Sequence, residues 1–197
     1  MSGTTDATGR RPSRPYQQPY PPLVRACIGE DSLVEMAKIG RPVLLGVQTL
    51  ETLRHRLHRY RETMLEEGFT VAAVEQALEA TWAQRGLYVA DSDDEALEVA
   101  AVALSRYRHH LEEARRLYNP GGLPPRPPGA PLPPAEVVEH AFVAGTPQRV
   151  AEQIAALQHA GVRNLLLNVN VGQLPPAQVE RSMRLFGAQV LPRFHAS

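Results

Sequence analysis

The segment Cys27-Ile28-Gly29-Glu30-Asp31-Ser32 joins a β-prone run to a helix. A glycine ahead of a hydroxyl-bearing helix start can turn main-chain N–H groups toward an anion. Glu30 and Asp31 work against an anion there unless they point away. A second reading stands beside the first: Ser32 only caps its helix, answered by Glu35 three residues on, as in a capping box. Three other junctions have the same strand-to-helix character: Gly46-Val47-Gln48-Thr49, Asp91-Ser92-Asp93 and Asn168-Val169-Asn170-Val171-Gly172-Gln173. Asn168 and Asn170 lie two apart and so share a side of a strand. They either line the strand ends or satisfy main-chain groups in the turn.

The remaining chemical side chains argue for less. His55 and His58 sit three apart on a basic stretch with no carboxylate motif, the pattern of a solvated face and not of a metal site. His109-His110 falls near a helix end, where positive charge suits the dipole. His140 lies shortly before Gly145 and could approach the strand ends. Asp91, Asp93, Asp94 and Glu95 read as an acidic helix start, not as a catalytic pair. No Ser-His-Asp arrangement can be argued. Cys27 is the one cysteine, which excludes an internal disulfide and a cysteine-cluster metal site; a buried structural thiol is expected.

The elements that must position these residues follow from patterning. Residues 1–22 are polar, carry five prolines and read as a flexible leader. Residues 23–28 form a short β-prone run, Ser32 starts a helix that Gly40 ends, and Pro42 to Val47 is an apolar run suited to a buried strand. From Thr49 to about Glu67, Leu50, Leu53, Leu57, Tyr60 and Met64 recur at helical spacing. A second helix is expected from about Val71 to Gln84, then a strand over Leu87 to Ala90. Ser92 with Glu95 opens a helix to about Leu117. Pro120 to Pro134 holds eight prolines and three glycines, which makes it a linker or surface loop. Thr146 caps a helix with Pro147 at its first position, ending at Ala160-Gly161. Val162 to Asn170 is the fourth strand, and Pro175-Pro176 opens the last helix. The order β-α-β-α-α-β-α-linker-α-β-α implies parallel strands with right-handed crossovers.

With 197 residues the chain suffices for one domain, here 23–197, interrupted by the linker at 120–134. Lys plus Arg and Asp plus Glu both number 21, so no basic excess argues for nucleic acid. No run reaches the ~18 apolar residues of a membrane span, and no signal peptide core opens the chain. A cytoplasmic protein with no membrane partner is expected.

Several stretches in this order resemble the luciferase-like flavin-dependent monooxygenases, a (β/α)8-barrel family. They are Gln18-Pro19-Tyr20-Pro21-Pro22, Met36 to Leu45 with its Gly-x-Pro step, Tyr88 to Ala96, Ala144-Gly145-Thr146-Pro147, and Arg181-Ser182-Met183-Arg184-Leu185-Phe186 followed by Val190-Leu191-Pro192. The resemblance runs from about Gln18 to Phe194. A complete barrel takes about 250 residues, and the matching segments correspond to the last four βα units only. The resemblance therefore implies α/β architecture as a partial TIM barrel.

It further implies FMN, or alternatively a deazaflavin, as cofactor and molecular oxygen as co-substrate in oxygenating a small organic substrate. By the same resemblance Gly29 and Ser32 would hold the FMN phosphate. Val47 would touch the flavin ring, although ordinary barrel packing explains Val47 as well. A half-barrel leaves an apolar sheet face and two edges to be covered. The expected partners are thus a second copy or a separately encoded N-terminal half, with a flavin reductase to supply reduced FMN. A non-catalytic flavin-binding protein or a scaffold derived from the family is the alternative reading.

Overall fold

The computed structural model describes residues 16–18, 21–119 and 132–194. Most of the expected leader and of the Pro120–Pro134 linker lies outside these residues. The elements run β1 (Arg25–Cys27), α1 (Glu30–Lys38), β2 (Val43–Leu45), α2 (Leu50–Glu66), α3 (Val71–Glu79), β3 (Trp82–Val89), α4 (Asp93–Tyr118), α5 (Ala135–Ala141), β4 (Phe142–Gly145), α6 (Pro147–His159), β5 (Asn164–Asn168) and α7 (Pro176–Leu185). A π-helical turn, Phe186–Val190, and a 3₁₀ turn, Leu191–Phe194, extend α7. The strands form a five-stranded parallel sheet. The mixed α/β class of the sequence reading therefore holds.

Helix starts follow local chemistry at four places. Thr49, Thr70, Ser92 and Thr146 each accept the main-chain N–H three residues on, opening α2, α3, α4 and α6. The expected cap at Ser32 is not formed. Helix α1 begins two residues earlier, at Glu30, with Gly29 as its N-cap and no side-chain cap. Inside the first turn the Ser32 hydroxyl donates to the Gly29 carbonyl at 2.9 Å. Glu35 pairs instead with Arg25 at 3.0 Å.

Strand β3 is the hub of the sheet. Strand β5 pairs with its residues 82–86, β2 with 82–83 and β4 with 86–89. Overlapping registers cannot share an edge, so β5 takes one side of β3 while β2 and β4 share the other, end to end. Two features differ from the sequence expectation. Residues 82–84 are strand, not the end of the α3 helix, and β4, with α5 before it, is an additional strand beyond the four expected. Between the end of β2 and the start of β4, the edge of β3 has no pairing strand. There the buried Arg85 guanidinium donates to the carbonyls of Gln84 (2.7 Å), Gln48 (2.8 Å) and Gly46 (3.5 Å). A side chain thus answers main-chain acceptors that a strand would otherwise satisfy.

The doubling back from β3 to β4 places helices on both faces. A right-handed crossover that reverses its direction across a sheet must pass over the opposite face. Accordingly Cys27, Val43, Leu45, Ala83, Leu87, Val89 and Val143 pack with α1, α2 and α6 in one core. Tyr88, Ala90, Phe142 and Ala144 pack against α4 and α5 in a second core on the other face. That other face is covered only toward the C-terminal ends of the strands. Below the cover, Trp82 and Leu166 remain 38% and 44% exposed, and Ala26 is exposed too. The register sets Ala26, Leu44 and Trp82 side by side, with Gln84 beside Leu166. Among the described residues, the outer edges of β1 and β5 carry no partner strand.

Candidate functional site

Parallel strands deliver their C-terminal ends to one rim, where α/β folds bind ligands. On this rim stand Gly29, Val47, the Ala90-Asp91 turn and the Asn168–Asn170 turn. Gly29 is exposed, and a Cβ added there would meet nothing within 4 Å. The α1 N-terminus behind it has no side-chain cap, so its first N–H groups remain open to an outside acceptor. Glu30 and Asp31 occupy the first turn and are exposed to solvent, which screens their charge. Ser32, bonded to the Gly29 carbonyl, braces the turn. Val47, past the end of β2, is 54% exposed, an aliphatic side chain left open on the rim. Gly29, Ser32 and Val47 thus belong to neighbouring strand ends of one rim.

The other rim residues have structural partners. Asn168 accepts the Asn170 N–H at 3.3 Å, so its amide serves the turn. Arg181 on α7 bonds Asp91 and, at 2.9 Å, Glu95. The Asp91 carboxylate is the main cause that holds the Arg181 guanidinium above its ordinary pKa. Asp93 accepts the Thr146 N–H at 2.7 Å and joins the starts of α4 and α6. The acidic stretch is therefore a set of joints between elements, as an acidic helix start would suggest. Gly145 has φ +148, and a Cβ there would lie 2.8 Å from Asp93 Oδ1. This explains the glycine in Gly145-Thr146-Pro147.

Two residues have structural roles that the sequence reading did not assign. Ser182 is buried on α7, and its hydroxyl accepts the Val89 N–H at 2.8 Å, fastening the last helix to the end of β3. Arg85 fell just past the expected helix end at Gln84, between that helix and the expected strand, in a run whose Ala83, Gln84 and Arg85 all favour helix. Cys27 is buried, as expected of a structural thiol. Among the described residues no group of three or more His, Cys, Asp or Glu stands together as a metal site. No helix among them is long and apolar enough to cross a membrane.

A parallel sheet whose strands lead into helices at one C-terminal rim defines a barrel-type α/β protein. The chain belongs to the luciferase-like monooxygenase family, whose model matches residues 2–164. Among solved structures it is similar to the monooxygenase RslO1 from Streptomyces bottropensis (22% identity, TM-score 0.67), covering 93% of this chain and 51% of that one. It is also similar to the oxygenating constituent of 3,6-diketocamphane monooxygenase from the CAM plasmid of Pseudomonas putida, solved with FMN (20% identity, TM-score 0.62, 88% of this chain and 49% of that one). A third is the coenzyme F420-dependent tetrahydromethanopterin reductase from Methanopyrus kandleri (21% identity, TM-score 0.58, 88% and 51%). At these identities the likeness is one of fold. The chain spans about half the length of these relatives. No curated protein matches it by sequence.

Proposed function

We propose that this chain is the C-terminal part of a flavin-dependent monooxygenase that oxygenates a small organic substrate. The observation that carries this reading, within a family of monooxygenases, is the uncapped α1 N-terminus at the rim beside the open Gly29. In the proposal the main-chain N–H groups after Gly29 hold the phosphate of FMN, or of a deazaflavin. Ser32 keeps that turn in shape through its bond to the Gly29 carbonyl. Val47 offers an apolar contact to the ring. Glu30 and Asp31 stay in solvent and limit the site's affinity for a dianion. Bound reduced flavin would supply the electrons for reaction with molecular oxygen. Excluding water from that reaction falls to the sheet face bearing Leu44, Trp82 and Leu166, once further strands close it.

Those strands would pair with the free edges of β1 and β5. A second copy or a chain carrying the N-terminal half of the barrel would provide them, with a flavin reductase supplying reduced FMN in the cytoplasm. The free edges and the half-open apolar face support this part of the reading.

A second reading is favoured by one observation. Helices α4 and α5 already cover the C-terminal part of the face that would line a barrel. A protein so covered can hold flavin at Gly29 without a substrate pocket, as a non-catalytic flavin carrier or scaffold. Titration with oxidised and reduced FMN separates the readings. Saturable binding, weakened by Ser32→Ala and abolished by Gly29→Asp, is expected. Binding with oxygen consumption, once the missing strands are provided, supports the enzyme, and binding without it supports the carrier. No binding under either condition overturns both.

A further inference from the structure

A cleft of about 580 Å³ opens on the α1–α2–α6 side of the sheet, away from the face that a barrel would enclose. Its volume falls within the roughly 300–1,000 Å³ of small-molecule sites. The cleft lies where β2 has ended and β4 has not begun, and Arg85 forms part of its lining. The Arg85 side chain is buried at 3% exposure, and all three of its hydrogen bonds go to main-chain carbonyls. Among the described residues no carboxylate pairs with it. Burial lowers its pKa to about 10, so it is still a cation at neutral pH. A guanidinium carries five N–H groups, more than those three bonds use.

Beside Arg85, both polar atoms of the Gln48 carboxamide are buried without a hydrogen-bond partner. An unsatisfied buried amide costs stability, and a ligand that accepts from Nε2 would relieve it. The rest of the lining is graded. Leu50, Val143 and Leu157 give apolar wall. Glu139 and Glu152 are exposed; Glu139 is already paired with Arg149 at 2.7 Å. The uncompensated charge is thus the buried cation, while carboxylates lie toward solvent, where water screens them. A dianion would be repelled by them more strongly than a monoanion.

We propose that this cleft binds an organic monocarboxylate, its carboxylate received by Arg85 and the Gln48 amide and its apolar body held between Leu50, Val143 and Leu157. The cleft starts at Gln48, next to Val47 on the loop after β2, but is lined by none of Gly29, Ser32 and Val47, and the proposal does not rest on the flavin reading. Calorimetric titration of the full chain with 3-phenylpropanoate tests it, beside 3-phenylpropanol and phenyl phosphate. Saturable one-to-one binding of the carboxylate is expected, with the alcohol and the phosphate ester weaker. Arg85→Gln should weaken the carboxylate by about tenfold or more, the loss of a charge-assisted hydrogen bond. Ala156→Trp fills the cleft from α6 without touching the carbonyls that Arg85 holds, and should weaken binding as strongly. This second variant decides the matter where Arg85→Gln fails to fold. Ser32→Ala should leave the carboxylate titration unchanged. Absence of saturable binding up to millimolar carboxylate overturns the proposal. So does equal binding of the alcohol, or wild-type affinity in Ala156→Trp.

Discussion

Ser182, Tyr60 and Gly172 show how single residues let separate layers fit together. The Ser182 hydroxyl is the acceptor for the Val89 N–H. Ser182→Ala leaves that buried donor unmet, at a cost of about 1–3 kcal/mol, readable as a lower urea midpoint with an unchanged slope. Tyr60 is fully buried and donates to the Arg41 carbonyl at 2.8 Å. Burial first, and Cys27 second, push its phenol up to about 12 from 10.0. The folded protein therefore keeps its proton where the unfolded chain releases it. Stability should fall between pH 10 and pH 12, by at most about 1.4 kcal/mol per unit. Tyr60→Phe should flatten that part of the alkaline denaturation curve. Gly172 has φ +66, and a Cβ there would stand 2.1 Å from the Ala103 carbonyl oxygen. Gly172→Ala must move α4 or the β5–α7 turn, so a loss of several degrees in Tm is expected.

At the level of elements, caps and joints decide where helices start. Thr146 caps α6, and its own N–H is held by Asp93. Thr146→Ala should cost about 1 kcal/mol, whereas Asp93→Asn, which retains an acceptor, should cost less in the same thermal melts. Helix α2 was legible from Leu53, Leu57, Tyr60 and Met64, all of which are buried. So were the starts of α4 and α6, because Ser92 and Thr146 act through their nearest main-chain neighbours. Strand β3 was read short because Ala83, Gln84 and Arg85 have helical preferences locally. Pairing on both edges of β3 overrides them, and those pairs lie far away in sequence. Strand β4 has only Phe142–Gly145 to announce it, too few residues to show a period. The cap expected at Ser32 failed for a different reason. Two acidic residues and a preceding glycine let α1 begin earlier, and Arg25 drew Glu35 away. The rim positions were thus readable as strand ends, but their hydrogen bonds were not.

On the scale of the whole molecule, one face of the sheet is finished and the other is half finished. The open part, with Trp82 and Leu166, and the free edges of β1 and β5 predict association. In sizing experiments the chain should elute well above its 21.7 kDa, and Leu166→Lys should shift it toward the monomer. A well-behaved monomer at micromolar concentration would remove the case for strand completion. The central place of β3 also bears on how the protein is made. Strands β4 and β5, which fill its two flanks, lie more than fifty residues downstream, and Ser182 comes later still. During synthesis, then, β3 leaves the ribosome with only β2 available to it. Its far edge stays bare until β5 emerges. The nascent chain must carry a half-paired strand from Val89 until Asn164 has been added, and such long-range parallel pairing is slow. Pausing, chaperone contact and expression temperature should therefore govern the yield of this protein more than the stability of its finished fold.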